Sequence, residues 1–256
     1  MAFLAAVALN LPWVASQPAA AHSNALWQVV HGFCVPGEKG MHDPSPCTAV
    51  DLSNGVDRGF AVLKDLRRRT QVLVVPTTRI TGIEDPAVLV ANAPNYWQFA
   101  WEARRYVEAR AGVEMPRDDV GLAVNSEPGR TQDQLHIHID CIRPDVKLAL
   151  GKNEAGIGKS WSLLRVSLAG RRYMAMRVEG ADLTAVEPFR LLAAGLPSAR
   201  KDMASQTLVV VGASFKKGGT GFFLLNDHAD AASRDEATGE DLLDHSCAVL
   251  KHQLHP

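Results

Sequence analysis

The stretch Gln134-Leu135-His136-Ile137-His138-Ile139-Asp140-Cys141-Ile142 decides how the rest of the chain reads. Side chains of a strand alternate between its two faces. Leu135, Ile137, Ile139 and Cys141 therefore form an apolar face, and Gln134, His136, His138 and Asp140 fall on the other. The pattern predicts a strand with one face in a core. Its other face carries two imidazoles, roughly 6–7 Å apart at Cα. A single His in a strand is usually a hydrogen-bonded structural residue. Two on one face, flanked by an amide and a carboxylate, point to chemistry, because imidazole serves as nucleophile, acid/base or metal ligand.

Working outward, 126–132 is a polar loop containing glycine, and 120–125 reads as the preceding strand. Residues 95–111 set Trp97, Ala100, Trp101, Arg104 and Val107 at helical spacing. This is an amphipathic helix whose aromatic stripe belongs to the core. Two apolar runs, 59–63 and 71–76, joined by a charged link, read as a β-hairpin closed by Pro76. Asp85-Pro86 marks a turn into a helix. Residues 25–33 form an apolar helical patch, followed by a loop rich in Pro and Gly as far as Asp51. Downstream, 161–168 and 172–178 read as another hairpin, 183–194 as a helix, and 207–213 and 221–225 as a further strand pair. Both halves thus read β-β-α-β-β, a repeat of pattern with little residue identity. The expected fold is α+β, an antiparallel sheet with packed helices. Its catalytic half is 22–150, and its second half, 151–256, lacks the His-x-His.

The chain has 256 residues, 46% of them hydrophobic, enough for a substantial core, and a formal net charge of -1. That balance gives no overall bias toward nucleic acid. The run Arg67-Arg68-Arg69 reads as a solvated loop or as a patch that meets an acidic surface. Residues 1–21 read as a signal peptide or membrane anchor: 2–14 is mostly apolar and Ala19-Ala20-Ala21 is a plausible cleavage site. The apolar run is shorter than the ~20 residues of a comfortable span. The expected location is outside the cytoplasm. Four cysteines without a CxxC pair argue against a zinc ribbon or thioredoxin-like site. The short loop between Cys34 and Cys47 favours that pairing, which leaves Cys141 with Cys247. Free buried thiols are the alternative.

His136-Ile137-His138-Ile139-Asp140 superficially matches an HxHxD metal-binding motif. That motif continues with His where this chain has Cys141. The later histidines, His228, His245, His252 and His255, lie mostly in a polar C-terminal tail. The pattern HExxH is absent. A metal-dependent hydrolase using His136 and His138 as ligands remains an alternative.

The stretch Gly129-Arg130-Thr131-Gln132-Asp133-Gln134-Leu135-His136-Ile137-His138 resembles the signature of the histidine-triad superfamily. There, a Gly-Gln-Ser/Thr loop precedes three histidines that alternate with apolar residues. Aligning Gly129 and Thr131 puts Gln134 on the first His, His136 on the second and His138 on the third. The resemblance implies His136 as the nucleophile, with His138 and Thr131 contacting phosphate. The departure is Gln134, which hydrogen-bonds but carries no charge. A second register would make His138 the nucleophile, with His136 first and Asp140 third. The hairpin Val62-Leu63-Lys64-Asp65-Leu66 and Val72–Pro76 is similar to that superfamily's strand–Asp–strand–Pro unit. It implies Asp65 as a ribose contact with Lys64 beside it, and Asn125 as a phosphate contact.

The chain also resembles one exported branch of that superfamily, the bacterial CDP-diacylglycerol pyrophosphatases. The segments that carry this are Leu26-Trp27, Cys34-Val35-Pro36, Pro46-Cys47, Pro76-Thr77-Thr78-Arg79-Ile80-Thr81-Gly82-Ile83-Glu84, Cys141-Ile142-Arg143-Pro144-Asp145-Val146 and Leu242-Leu243-Asp244-His245-Ser246-Cys247. This resemblance implies hydrolysis of the lipid nucleotide CDP-diacylglycerol at a membrane surface, on the periplasmic side of an inner membrane, without a cofactor or resident metal. The competing expectations are a histidine-triad hydrolase of soluble nucleotides and a nucleotide- or lipid-binding protein that has lost catalysis. Monomer and homodimer both stay open.

Overall fold

The structure, a computed structural model, describes residues 23–250. The expected leader at 1–21 lies outside them. Among the described residues, ten strands form one antiparallel sheet. In chain order they are β1 (Ala49–Asp51), β2 (Phe60–Lys64), β3 (Val72–Pro76), β4 (Val120–Val124), β5 (Ile137–Ile142), β6 (Ser162–Leu163), β7 (Met174–Glu179), β8 (Gln206–Ser214), β9 (Thr220–His228) and β10 (Leu243–Asp244). The spatial order is β1-β2-β3-β5-β4-β8-β9-β7-β6, with β10 added beside β5. The histidine strand β5 is thus central. One edge takes β4, with Ala123 opposite His138. The other takes β3, with Leu73 opposite His138, and further along β10, with Leu243 opposite Ile142.

The strand expected from Gln134 begins at Ile137, but the alternation from Leu135 through β5 sorts the two faces as the sequence predicts. Leu135, Ile137, Ile139 and Cys141 enter the main core with Trp97, Trp101 and Val107 of helix α3 (Tyr96–Ala111). Here α1 is Ala25–Val29 and α2 is Val35–Met41. Fully burying a large apolar side chain contributes about 1.5–3 kcal/mol, so a one-residue slip of β5 would forfeit several such terms and bury the imidazoles under α3. The helix has clear ends. The Asn95 side chain accepts from the N–H of Gln98 at 3.1 Å, and Gly112 takes the left-handed conformation (φ 74°) that closes the last turn.

Two smaller clusters lie on the opposite face. Leu26, Val30 and Val35 pack over Ala61 and Val75. Val146 and Leu150 of α4 (Pro144–Asn153) pack with Ala123, Val209 and Leu225. The histidines emerge between these clusters. Two disulfides form, Cys34–Cys47 and Cys141–Cys247, with Cα separations of 5.7 and 5.2 Å. Such bonds mark folding in an oxidising compartment. Among the described residues no helix is long and apolar enough to cross a membrane.

Several expectations need correction. The loop expected from Cys34 to Asp51 is helical through Met41. Pro36 is tolerated because it falls in the first turn of α2, where its missing N–H costs little. A π-helical turn, Val30–Cys34, joins α1 to α2. The strand expected over 161–168 shrinks to β6. The helix expected over 183–194 becomes α5 (Pro188–Gly195), again starting at a proline, with α6 (Pro197–Lys201) directly after it.

Candidate active site

His138 projects from β5 and His136 from the position immediately before it, with ring centroids 4.8 Å apart at an interplanar angle of 66°. They are 9% and 6% exposed, so each ring lies in a wall rather than in solvent. The Nδ1 of His136 is 2.7 Å from the backbone carbonyl oxygen of Gln134. A carbonyl only accepts, so Nδ1 carries the proton and Nε2 the lone pair. Burial, reinforced by the neighbouring His138, pushes the His136 pKa down to about 3. Burial also lowers that of His138, against the opposing pull of Glu240 and Asp65.

Neither ring nitrogen of His138 has a hydrogen-bond partner, although both are buried. The nearest carboxylate comes from the C-terminal segment. Glu240 Oε2 is 3.6 Å from His138 Nδ1, while its Oε1 accepts from Gln71 Nε2 at 2.9 Å. His245 stands behind it. Its Nδ1 is 2.8 Å from Asp140 Oδ2 and its Nε2 is 3.4 Å from Glu240 Oε1. Burial disfavours the Glu240 carboxylate, but His138, Gln71, His245 and Arg68 together hold its pKa below the usual range.

The segment reaches this position through close packing. Gly239 is buried, and a Cβ there would lie 2.5 Å from Thr207 Oγ1. Asn125 Oδ1 accepts the backbone N–H of Glu240 at 3.1 Å. The Cys141–Cys247 disulfide ties the far end to β5.

The other expected residues sort by position. Gln134 is fully buried, and its Nε2 donates to the carbonyls of Pro76 and Thr78 at 3.1 and 3.0 Å, leaving Oε1 without a partner. Asp140 is also fully buried. Its oxygens are engaged by Thr70 at 2.7 Å, by its neighbour's N–H at 2.9 Å and by His245. Asp65 is half-buried and electrostatically coupled to His138, and Lys64 is exposed beside it. Thr131 is exposed, and its carbonyl accepts from the N–H of Ser23.

Three residues have no role assigned by the sequence. His245 falls both in the polar tail and in the family-like Leu242–Cys247 segment, and the structure joins it to Asp140. Glu240 has no local signal. Arg130 lies inside the Gly129–His138 stretch. It is 7% exposed and pairs with Glu84 at 2.7 Å and Asp133 at 3.1 Å. Its charge acts on His136.

A buried imidazole with its lone pair on Nε2, a second imidazole beside it and a buried guanidinium nearby suit attack on an anionic phosphorus centre. The family described as CDP-diacylglycerol pyrophosphatase matches residues 21–251. A protein of that name from Yersinia pestis is 39% identical over 231 residues, which cover 90% of this chain and 86% of that protein. The chain therefore belongs to the CDP-diacylglycerol pyrophosphatase family.

Proposed function

We propose that this protein hydrolyses the diphosphate linkage of CDP-diacylglycerol to CMP and phosphatidate through a covalent nucleotidyl-histidine intermediate. The observation that carries the mechanism is the 2.7 Å contact of His136 Nδ1 with the Gln134 carbonyl, which leaves Nε2 with its lone pair. That lone pair attacks the phosphorus attached to cytidine. An N–P bond forms, the bond to the bridging oxygen breaks, and the electron pair leaves with phosphatidate. Water then attacks the cytidylyl-imidazole, breaks the N–P bond and releases CMP and a proton. Splitting the displacement this way replaces one difficult step with two easier ones.

His138, Arg130, Thr131, Asn125 and backbone N–H groups of the Gly129 loop are the donors assigned to phosphate oxygens. Asp65, with Lys64 beside it, is assigned to the ribose. Gln134 clamps the end of β3 and offers its free Oε1 as an acceptor. Asp140 holds His245. The sheet order supports reading the fold as a duplicated histidine-triad-like unit, because β2-β3-β5-β4 is mirrored by β6-β7-β9-β8 across the β4–β8 pair. The two disulfides fit export, and the lipid substrate requires a membrane surface.

The test is CMP release from CDP-diacylglycerol in detergent, with excess EDTA and with His136→Ala in parallel. Turnover that survives EDTA and vanishes in the variant supports the reading. Turnover abolished by EDTA would make the two histidines metal ligands. Preference for soluble nucleotides would move the substrate.

A further inference from the structure

We propose that Glu240 is a positioning residue for His138: its carboxylate, set by the C-terminal segment, holds the imidazole as a two-proton donor when a diphosphate occupies the site. This rests on the proposed phosphoryl-transfer role of the histidine pair. His138 is buried with two polar nitrogens and no hydrogen-bond partner, an arrangement that costs free energy unless a ligand completes it. Glu240 Oε2 lies 3.6 Å from Nδ1, in ion-pair range and just past hydrogen-bond length. Catalytic contacts are often long in the empty site and tighten once substrate binds.

Glu240 is built for one direction. Gln71 and His245 approach Oε1, at 2.9 and 3.4 Å, and leave Oε2 facing His138. His245 is itself fixed by Asp140 at 2.8 Å. Asn125 holds the Glu240 N–H, and the disulfide holds the segment two residues past His245. A proton on Nδ1 directed at Glu240 leaves Nε2–H for a phosphate oxygen. His138 then serves as a donor to the developing charge, and the carboxylate balances the imidazolium in a dry setting.

The charged groups around His138 are Glu240 and Asp65, which favour its protonation, and His245 and Arg68, which oppose it. Removing the Glu240 charge therefore shifts the balance toward neutral imidazole. In Glu240→Gln the rate should fall about 10- to 100-fold, as for loss of an outer partner that orients an active-site histidine. The alkaline limb of the pH–rate profile, where His138 loses its proton, should move to lower pH. Glu240→Asp should restore part of the rate and move the limb back. His245→Asn should act in the same direction with a smaller effect.

The experiment is the pH dependence of kcat/KM for CDP-diacylglycerol hydrolysis in wild type, Glu240→Gln and Glu240→Asp. It is paired with NMR titration of the His138 ring in the same proteins with a non-hydrolysable diphosphate bound. Movement of the alkaline limb and of the His138 titration to lower pH in Glu240→Gln supports the proposal. A Glu240→Gln enzyme whose rate falls with an unshifted limb and unshifted titration overturns it, since a merely structural role acts that way. The NMR arm needs no turnover. Wild type inactive on this lipid would therefore fail the substrate reading while the Glu240–His138 coupling is still decided.

Discussion

His136 Nδ1 is 2.7 Å from the carbonyl oxygen of Gln134, two residues back in the segment that leads into β5. Gln134 stands where the resemblance places the first histidine of a triad. Its main chain, not its side chain, selects the tautomer of the residue two positions on. The amide is turned away toward the Pro76 and Thr78 carbonyls. Replacement of the side chain at 134 is therefore compatible with a working nucleophile, because the atom that orients it belongs to the backbone.

His136→Ala should lose at least ~10³ in kcat, the scale for removing a covalent nucleophile or a major electrostatic donor. Steady-state CMP release checks this. His138→Ala should lose less. A greater loss in His138→Ala than in His136→Ala would favour the other register, with His138 as nucleophile.

Stability should fall on the acid side because the imidazoles are buried neutral. The His136 pKa drops from 6.5 in the unfolded chain to about 3 in the fold. Between those values the unfolded chain binds more protons, so unfolding free energy rises with pH across that window. The contribution is fully present above about pH 6.5 and is lost as pH falls toward about 3, a term on the order of a few kcal/mol. Thermal melts over this range should show Tm falling with acidification, with a shallower slope in His136→Asn. An equal slope in the variant would place the acid sensitivity elsewhere.

Gly82→Ala should damage the site from a distance. A Cβ there would lie 2.2 Å from Arg130 Nη1 and 2.5 Å from Glu84 Oε2, so the part-buried ion pair must shift. The expected cost is about 1–3 kcal/mol, typical of overpacking, together with a raised KM if Arg130 helps hold the diphosphate. Urea melts and substrate titration measure the two effects separately. Unchanged stability and KM would remove Arg130 from the account.

Loss of Cys141–Cys247 should cost more than loss of Cys34–Cys47. The first closes a sequence separation of 106 residues and the second only 13. A longer closed loop removes more unfolded-state entropy, within a typical range of roughly 2–5 kcal/mol. The C-terminal bond also holds His245 and Glu240 against β5. Cys141→Ser/Cys247→Ser should therefore lower both Tm and kcat, whereas Cys34→Ser/Cys47→Ser should mainly lower Tm.

The alternation around His136 made the central strand and its two faces legible, and the Pro and Gly pattern of Cys34–Cys47 made that disulfide legible. What stayed hidden depends on long-range placement. Glu240 and His245 are more than 100 residues from His138 along the chain, and no local period marks a side chain whose role comes from crossing the sheet. α4 and the short strands β1 and β10 lacked a periodic signal long enough to read. Pro36 and Pro188 mark helix starts that the sequence reading does not use: the first falls in an expected loop and the second inside an expected helix, whereas each proline occupies a first helical turn.

The most direct test of the central claim is a rapid quench of CDP-diacylglycerol turnover under alkaline conditions, which preserve a phosphoramidate, followed by peptide mass mapping. The account predicts a cytidylyl group on His136 that forms and decays at rates able to support turnover. Full turnover with no adduct on any histidine, or an adduct on His138 alone, would contradict it.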